Sequence, residues 1–249
     1  MNICSPFLVT LCLLLGSSIA QRLRHHSPKQ GRIVGGDVAK ANRYPYYTKL
    51  EGDRICGGSL IWKDVVLTAA HCYLAYQRGA TATVNFTTAF DSSGDVVRTT
   101  TIGKPHPNYN ITTKENDIAL VKLDSLVNQV EPVRWNTDED FPSVGDDVHV
   151  FGVGIRAESG NAASFFLMEV TVQVSDMPTC ISDYKSASFG YPPAIQASMH
   201  LCAAVETGGK DSCRGDSGGP LVEGNSAAED VQIGVVSFGF GCARVGYPG

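Results

Sequence analysis

The chain has 249 residues and a formal net charge of −5, with 43% hydrophobic and 18% charged side chains, enough apolar material for one large or two small cored domains. Residues 1–32 hold Arg22, Arg24, Lys29 and Arg32 and no acid, so the remainder carries 16 basic against 25 acidic side chains, a net of −9. That balance excludes nucleic acid as a partner on charge grounds.

Phe7 to Leu15 is an apolar run, and Ser18-Ile19-Ala20 follows it as a small-x-small cleavage site. The run is too short to span a bilayer and has the form of a secretory signal, although no basic residue stands near Met1. The expectation is a signal peptide over residues 1–20 and a secreted, extracellular product with no membrane partner. Residues 21–32 (QRLRHHSPKQGR) are polar, basic and unpatterned, a segment that a protease can reach. From Ile33 onward the texture changes to short apolar runs between turn signals. Ile55–Ile61, Val65–Thr68, Val148–Val153, Phe165–Val174 and Val231–Phe238 are rich in residues that suit a pleated, half-buried surface. Periodic helical patterns are scarce, and 26 glycines break the chain often. The expected class is all-β.

Removing the signal removes Cys4 and Cys12 and leaves Cys56, Cys72, Cys180, Cys202, Cys213 and Cys242. An even number in an exported chain points to disulfides, and spacing alone does not choose among the pairings. No Cys-x-x-Cys pair or His/Cys cluster suggests a metal, and Asp91 and Asp95 lack calcium-ligand spacing. Asn85-Phe86-Thr87 and Asn110-Ile111-Thr112 are candidate glycosylation triplets.

The densest chemistry is in Asp211 to Pro220, DSCRGDSGGP. Its glycines and proline favour a tight irregular backbone around Ser217. Nucleophilic catalysis by serine needs a serine on such a turn, a histidine to take its proton, a carboxylate to orient the histidine, and donors for the oxyanion. Of the six histidines only His71, in Thr68-Ala69-Ala70-His71-Cys72, has small neighbours at its back and a cysteine to tether it. Asp117, in Asn116-Asp117-Ile118-Ala119-Leu120, stands at the mouth of an apolar run, where an acid needs a partner.

Taken together, IVGG at 33–36, TAAHC at 68–72, NDIAL at 116–120, DSC at 211–213 and GDSGGP at 215–220 resemble the trypsin-like (chymotrypsin-fold) serine proteases, and the order His, Asp, Ser is also that family's. The resemblance spans residues 33–249 and implies two six-stranded antiparallel β-barrels with the site in the cleft between them. It implies His71 as general base and acid, Asp117 as its orienting group, Ser217 as nucleophile, and the N–H groups of Gly215 and Ser217 as oxyanion hole. It implies disulfides 56–72, 180–202 and 213–242. Residues 21–32 become an activation propeptide: cleavage after Arg32 frees an ammonium on Ile33 that pairs with Asp216. Asp211 becomes the floor of a pocket for Arg or Lys, with Gly239 and Gly249 as its walls. Ser237-Phe238-Gly239 becomes the segment that pairs with substrate, with Phe238 where the family usually has Trp. The implied partners are protein or peptide substrates with Arg or Lys before the cut bond, and protein protease inhibitors. The implied product is a monomer with no cofactor and no metal. Family members continue past the position of Gly249 with a strand and a helix, so the second barrel is expected to lack its closing strand. The alternative expectation is a non-catalytic homologue that binds or inhibits a partner protein, its activity lost with those elements.

Overall fold

In the computed structural model, residues 33–75, 79–186 and 195–249 are described. The expected signal peptide, propeptide and Arg32 lie outside the described residues.

Val, Thr, Leu and Tyr at alternate positions write the strands of the first half. These are β1 (Asp37–Val38), β2 (Tyr47–Glu51), β3 (Ile55–Trp62), β4 (Val65–Thr68), β5 (Thr81–Val84), β6 (Val96–Pro105) and β7 (Ala119–Leu123), with a short helix α1 (Ala70–Ala75) after β4. In β7 the period of two is plain: Ala119, Val121 and Leu123 are buried while Leu120 and Lys122 face out. Strands β2-β3-β4-β7-β6-β5 close into a six-stranded antiparallel barrel, which removes the exposed edges of an open sheet.

The second half supplies β8 (Arg134–Trp135), β9 (Asp147–Gly152), β10 (Met168–Val174), helix α2 (Met177–Ser186), β11 (Ala203–Ala204), β12 (Pro220–Glu223) and β13 (Val231–Val235). They form a second sheet in the order β1-β10-β9-β12-β13-β8, with β11 paired to β10. Met168, Val170, Val172 and Val174 of β10 fill its inner face. Among the described residues this sheet does not close: its last link is a two-residue parallel pairing of β13 with β8. The architecture is therefore a closed barrel beside a second, open sheet.

Two expected strands shift their ends. The run Phe165–Val174 enters the β10 ladder only at Met168, and Phe165 and Phe166 remain outside it. The run Val231–Phe238 leaves the ladder after Val235, and the backbone of Val236 instead exchanges hydrogen bonds with Gly218 and Gly219. That detour carries Ser237 and Phe238 to the site.

The two sheets meet over aromatic and ionic contacts. Phe151 of β9 stacks on Tyr44 at 3.6 Å between ring centroids and meets Tyr46 and Tyr47 edge-on. Asp230, 1% exposed, accepts from Arg43 at 2.5 and 2.9 Å and from the Tyr46 hydroxyl at 2.5 Å. Ser59 of β3 donates to Gln232 of β13 at 2.6 Å. All three disulfides that the family resemblance implies are formed: Cys56–Cys72, Cys180–Cys202 and Cys213–Cys242.

A buried ion pair broken on one side strands its partner away from water, so Asp230→Ala is expected to lower stability by about 3–5 kcal/mol. Glu131→Ala, which breaks the exposed Lys63–Glu131 pair, is expected to cost less than about 1 kcal/mol. Urea unfolding of both variants against the parent chain checks the contrast.

Candidate active site

Ala69 and Ala70 are fully buried, and their small side chains let α1 begin directly against the barrel wall. The next residue, His71, is held by three anchors. Cys72 ties the helix to β3 through Cys56. The His71 backbone N–H donates to Asp117 Oδ1 at 2.9 Å, and its ring Nδ1 lies 2.7 Å from Asp117 Oδ2. An ionised carboxylate only accepts, so Nδ1 carries the proton and Nε2 keeps a free lone pair.

Asp117 sits just ahead of β7 and is almost fully buried. Ser237 donates its hydroxyl to Oδ2 at 2.5 Å. Burial alone pushes this carboxyl up, but the hydrogen bonds and charge of His71, with the Ser237 hydroxyl, outweigh it and hold Asp117 below the ordinary carboxylate value. The sequence pattern assigned Ser237 to a substrate-pairing segment; its bond to Asp117 was not foreseen.

Ser217 lies on the expected turn. Gly215 and Gly218 have φ of 99° and 79°, a region that a side chain disfavours. A Cβ on Gly218 would stand 2.2 Å from Thr68 Oγ1, so the turn packs against the end of β4 as only glycine permits. Gly57 N–H donates to the Ser217 carbonyl at 2.8 Å. Cys72 Sγ lies 3.7 Å from His71 Nε2 and 3.5 Å from the Ser217 carbonyl oxygen, so the disulfide sits between histidine and serine turn. The Ser217 hydroxyl makes no hydrogen bond to the ring among the described residues. The N–H groups of Gly215 and Ser217 likewise donate to no group among the described residues.

Two further acids are buried without a cation among the described residues. Asp216 is fully buried and accepts from Gly154 N–H at 2.8 Å and Cys213 N–H at 2.9 Å. Burial still drives its carboxyl up to about 7, helped by the nearby charge of Asp211. Gly152 and Gly154 form the roof over it: a Cβ on either would approach its carboxylate oxygens to 2.2 or 2.6 Å. Sequence reasoning missed this pair, and the signal available was Gly-Val-Gly at the end of a strand. Ile33 is fully buried in the core of the second sheet, and Val34 bridges to Asp211.

Asp211 is pushed up to about 6, again by burial, with Ala243 N–H donating to it at 2.9 Å. It lines a cavity of about 650 Å³ together with Asp117, Ser237, Phe238 and Gly249. A Cβ on Gly249 would stand 2.8 Å from Asp211 Oδ1, and one on Gly239 would stand 3.6 Å from Gly249 Cα. Gly249 thus lies against the acid, and Gly239 lies against Gly249. Phe238 meets His200 edge to face at 5.3 Å, a neighbour that the sequence did not suggest. Asn85 lies just after β5, and Asn110 lies on the loop leading into Asp117. Among the described residues, no group of three or more potential ligands is placed to hold a metal ion, and no helix is long and apolar enough to cross a membrane.

Residues 33–249 match the trypsin family. The chain is 35% identical over 222 residues to trypsin alpha of Drosophila melanogaster, an alignment covering 88% of this chain and 82% of that one. It is 36% identical over 222 residues to trypsin epsilon of Drosophila erecta, with the same coverage. To trypsin of Sarcophaga bullata it is 36% identical over 224 residues, covering 88% of this chain and 83% of the relative.

The two raised carboxyls set a pH dependence. Their ordinary value is 3.8, and in the folded chain they reach about 6 and about 7. The folded state therefore holds protons that the unfolded state has lost, and their contribution is complete below the ordinary value and declines as pH rises to about 7. The uncleaved chain is expected to lose this part of its stability across that window. Urea midpoints measured from acid to neutral pH should show a smaller loss in Asp216→Asn than in the parent.

Proposed function

The chain belongs to the trypsin family of serine proteases, and on that premise we propose a secreted endopeptidase, made as a zymogen, that cuts peptide bonds after Arg or Lys. The observation that carries the catalytic part is the anchoring of His71 through Nδ1 on Asp117, which leaves Nε2 free on the flank of the Ser217 turn.

In this reading the Ser217 hydroxyl attacks the scissile carbonyl and its proton passes to His71 Nε2. Asp117 holds the ring in the required tautomer and stabilises the imidazolium. The oxyanion is met by the N–H groups of Gly215 and Ser217, which have no other acceptor among the described residues. Collapse breaks the C–N bond, the amine leaves with the proton from His71, and an acyl ester remains on Ser217. Water, deprotonated by His71, then releases the acid and restores the serine.

The acid floor of the cavity supports the substrate class. A guanidinium or ammonium entering the cavity past Gly249 supplies the counter-charge that buried Asp211 does not meet among the described residues. The same logic supports activation. Cleavage at Arg32–Ile33 creates an ammonium beside the core of the second sheet, and fully buried Asp216, which meets no cation among the described residues, is the carboxylate that this ammonium pairs with. Secretion is supported by the apolar run before Ala20 and by the three disulfides. The enzyme acts as a monomer on protein substrates, with protein inhibitors as its other partners.

Matched peptide amides ending in Arg, Lys, Phe or Ala, presented to the secreted chain after cleavage at Arg32, test the reading. Turnover of the Arg and Lys amides is expected, falling by a factor of about 10⁴–10⁶ in Ser217→Ala. Turnover that survives in that variant, or a folded and cleaved chain that neither cuts these amides nor takes an acyl label on Ser217, overturns it. Asp211→Ser is expected to lose the Arg and Lys preference selectively. Arg32→Gln is expected to leave the chain uncleaved by trypsin at that bond and without activity.

A further inference from the structure

The loop leading into Asp117 carries one of the two Asn-x-Thr triplets, and the two triplets sit differently in the fold. In Asn85-Phe86-Thr87 the middle residue is a core side chain, and the Asn85 side-chain amide donates to the Gly94 carbonyl at 2.9 Å. In Asn110-Ile111-Thr112 all three residues are exposed, Ile111 by 64%. Asn110 Oδ1 accepts from the N–H groups of Thr112 and Thr113 at 2.9 and 3.2 Å, while its Nδ2 makes no hydrogen bond among the described residues.

The base of this loop is held firmly beside the cleft. Asn110 N–H donates to the Glu115 carbonyl at 3.0 Å, Lys114 N–H donates to the Asn110 carbonyl at 2.8 Å, and Asn116 Nδ2 donates to the Asn108 carbonyl at 3.2 Å. The Gln196 side chain bonds to Glu115, and His200 Nε2 lies 3.4 Å from the Lys114 carbonyl. His200 in turn meets Phe238, so the loop is joined to the proposed substrate platform. Lys114 and Asn116 line the same cavity as Asp117, Ser237 and Phe238.

We propose that Asn110 carries an N-linked oligosaccharide that stands at the rim of the cleft and screens it against protein-sized ligands while leaving it open to short peptides. The inference rests on the secreted-protease reading. In the transfer, Asn110 Nδ2 loses one proton and bonds to C1 of the first N-acetylglucosamine of a lipid-pyrophosphate-linked oligosaccharide, and the lipid pyrophosphate leaves. Transfer acts on the nascent chain, so the fold decides whether the sugar can stay. At Asn110 it displaces no hydrogen bond among the described residues and covers exposed Ile111. Because the loop is tied at both ends, the sugar springs from a fixed point beside the cavity. A bulky partner must then approach past it, whereas a short peptide lies beneath it.

The test expresses residues 21–249 in insect cells behind a heterologous secretion leader, so entry into the secretory route does not depend on residues 1–20. Peptide mapping by mass spectrometry, with N-glycosidase release in heavy-oxygen water, is expected to mark Asn110 as occupied; an unmodified Asn110 peptide overturns the site. After cleavage at Arg32, association with a Kunitz-type trypsin inhibitor is compared with turnover of a single-residue Arg amide. In Asn110→Gln, and in parent enzyme trimmed to one N-acetylglucosamine, inhibitor association is expected to rise about tenfold while kcat/KM on the amide stays within about twofold. Equal association rates in all three forms overturn the screening role. Absence of amide turnover in the parent overturns that role together with the protease reading, while the peptide map still decides the site.

Discussion

The site is organised around a carboxylate kept out of water. Asp117 is buried at the seam between the two sheets, and three donors satisfy its charge: the ring and backbone N–H of His71 from α1, and the hydroxyl of Ser237 from the extension of β13. An unpaired acid in that position would be costly. Satisfying it draws together segments from both halves of the chain, and the position of His71 follows from that. The carboxyl ends below its ordinary value even though burial opposes this, because the donors win.

Asp211 and Asp216 differ from Asp117 in this respect. Both are buried and both accept backbone N–H groups, yet neither meets a cation among the described residues, and both carboxyls are driven upward. Asp230 is also buried, but it holds Arg43 and the Tyr46 hydroxyl. In the proposed function the two unsettled acids are the places where charge arrives from outside the folded chain: a substrate side chain at Asp211 and a new chain terminus at Asp216.

Glycines carry much of the close approach on which this depends. Gly218 lets the serine turn meet Thr68, and Gly152 and Gly154 let the backbone close over Asp216. The glycines around Ser217 were legible as a bent backbone because they crowd one short stretch. Gly152 and Gly154 were not: Gly-Val-Gly at a strand end hints at a close approach, but nothing near it in the chain says that Asp216 lies beneath. Strand positions were legible from apolar and β-branched runs, and Val65–Thr68 kept its expected ends, but the ends of β10 and β13 were not legible. Phe165 and Phe166 have strand-forming side chains yet lie outside the β10 ladder, and β13 ends at Val235 because its continuation bonds to the serine turn instead.

By itself the amino-acid sequence determined the all-β class and the even set of cysteines, and it singled out His71, Asp117 and Ser217 as candidates, because each stands in a local pattern that only certain residues can form; Asp211 joined them only through the family resemblance. Tertiary structure decided the rest. It gave Ser237 a bond to Asp117 across 120 residues of chain, and set Asn110 in the open while Phe86 went into the core. The reason is physical: backbone conformation is set by neighbours in sequence, but burial, and with it the charge state and reach of every group at the site, is set by residues that meet only when the chain has folded.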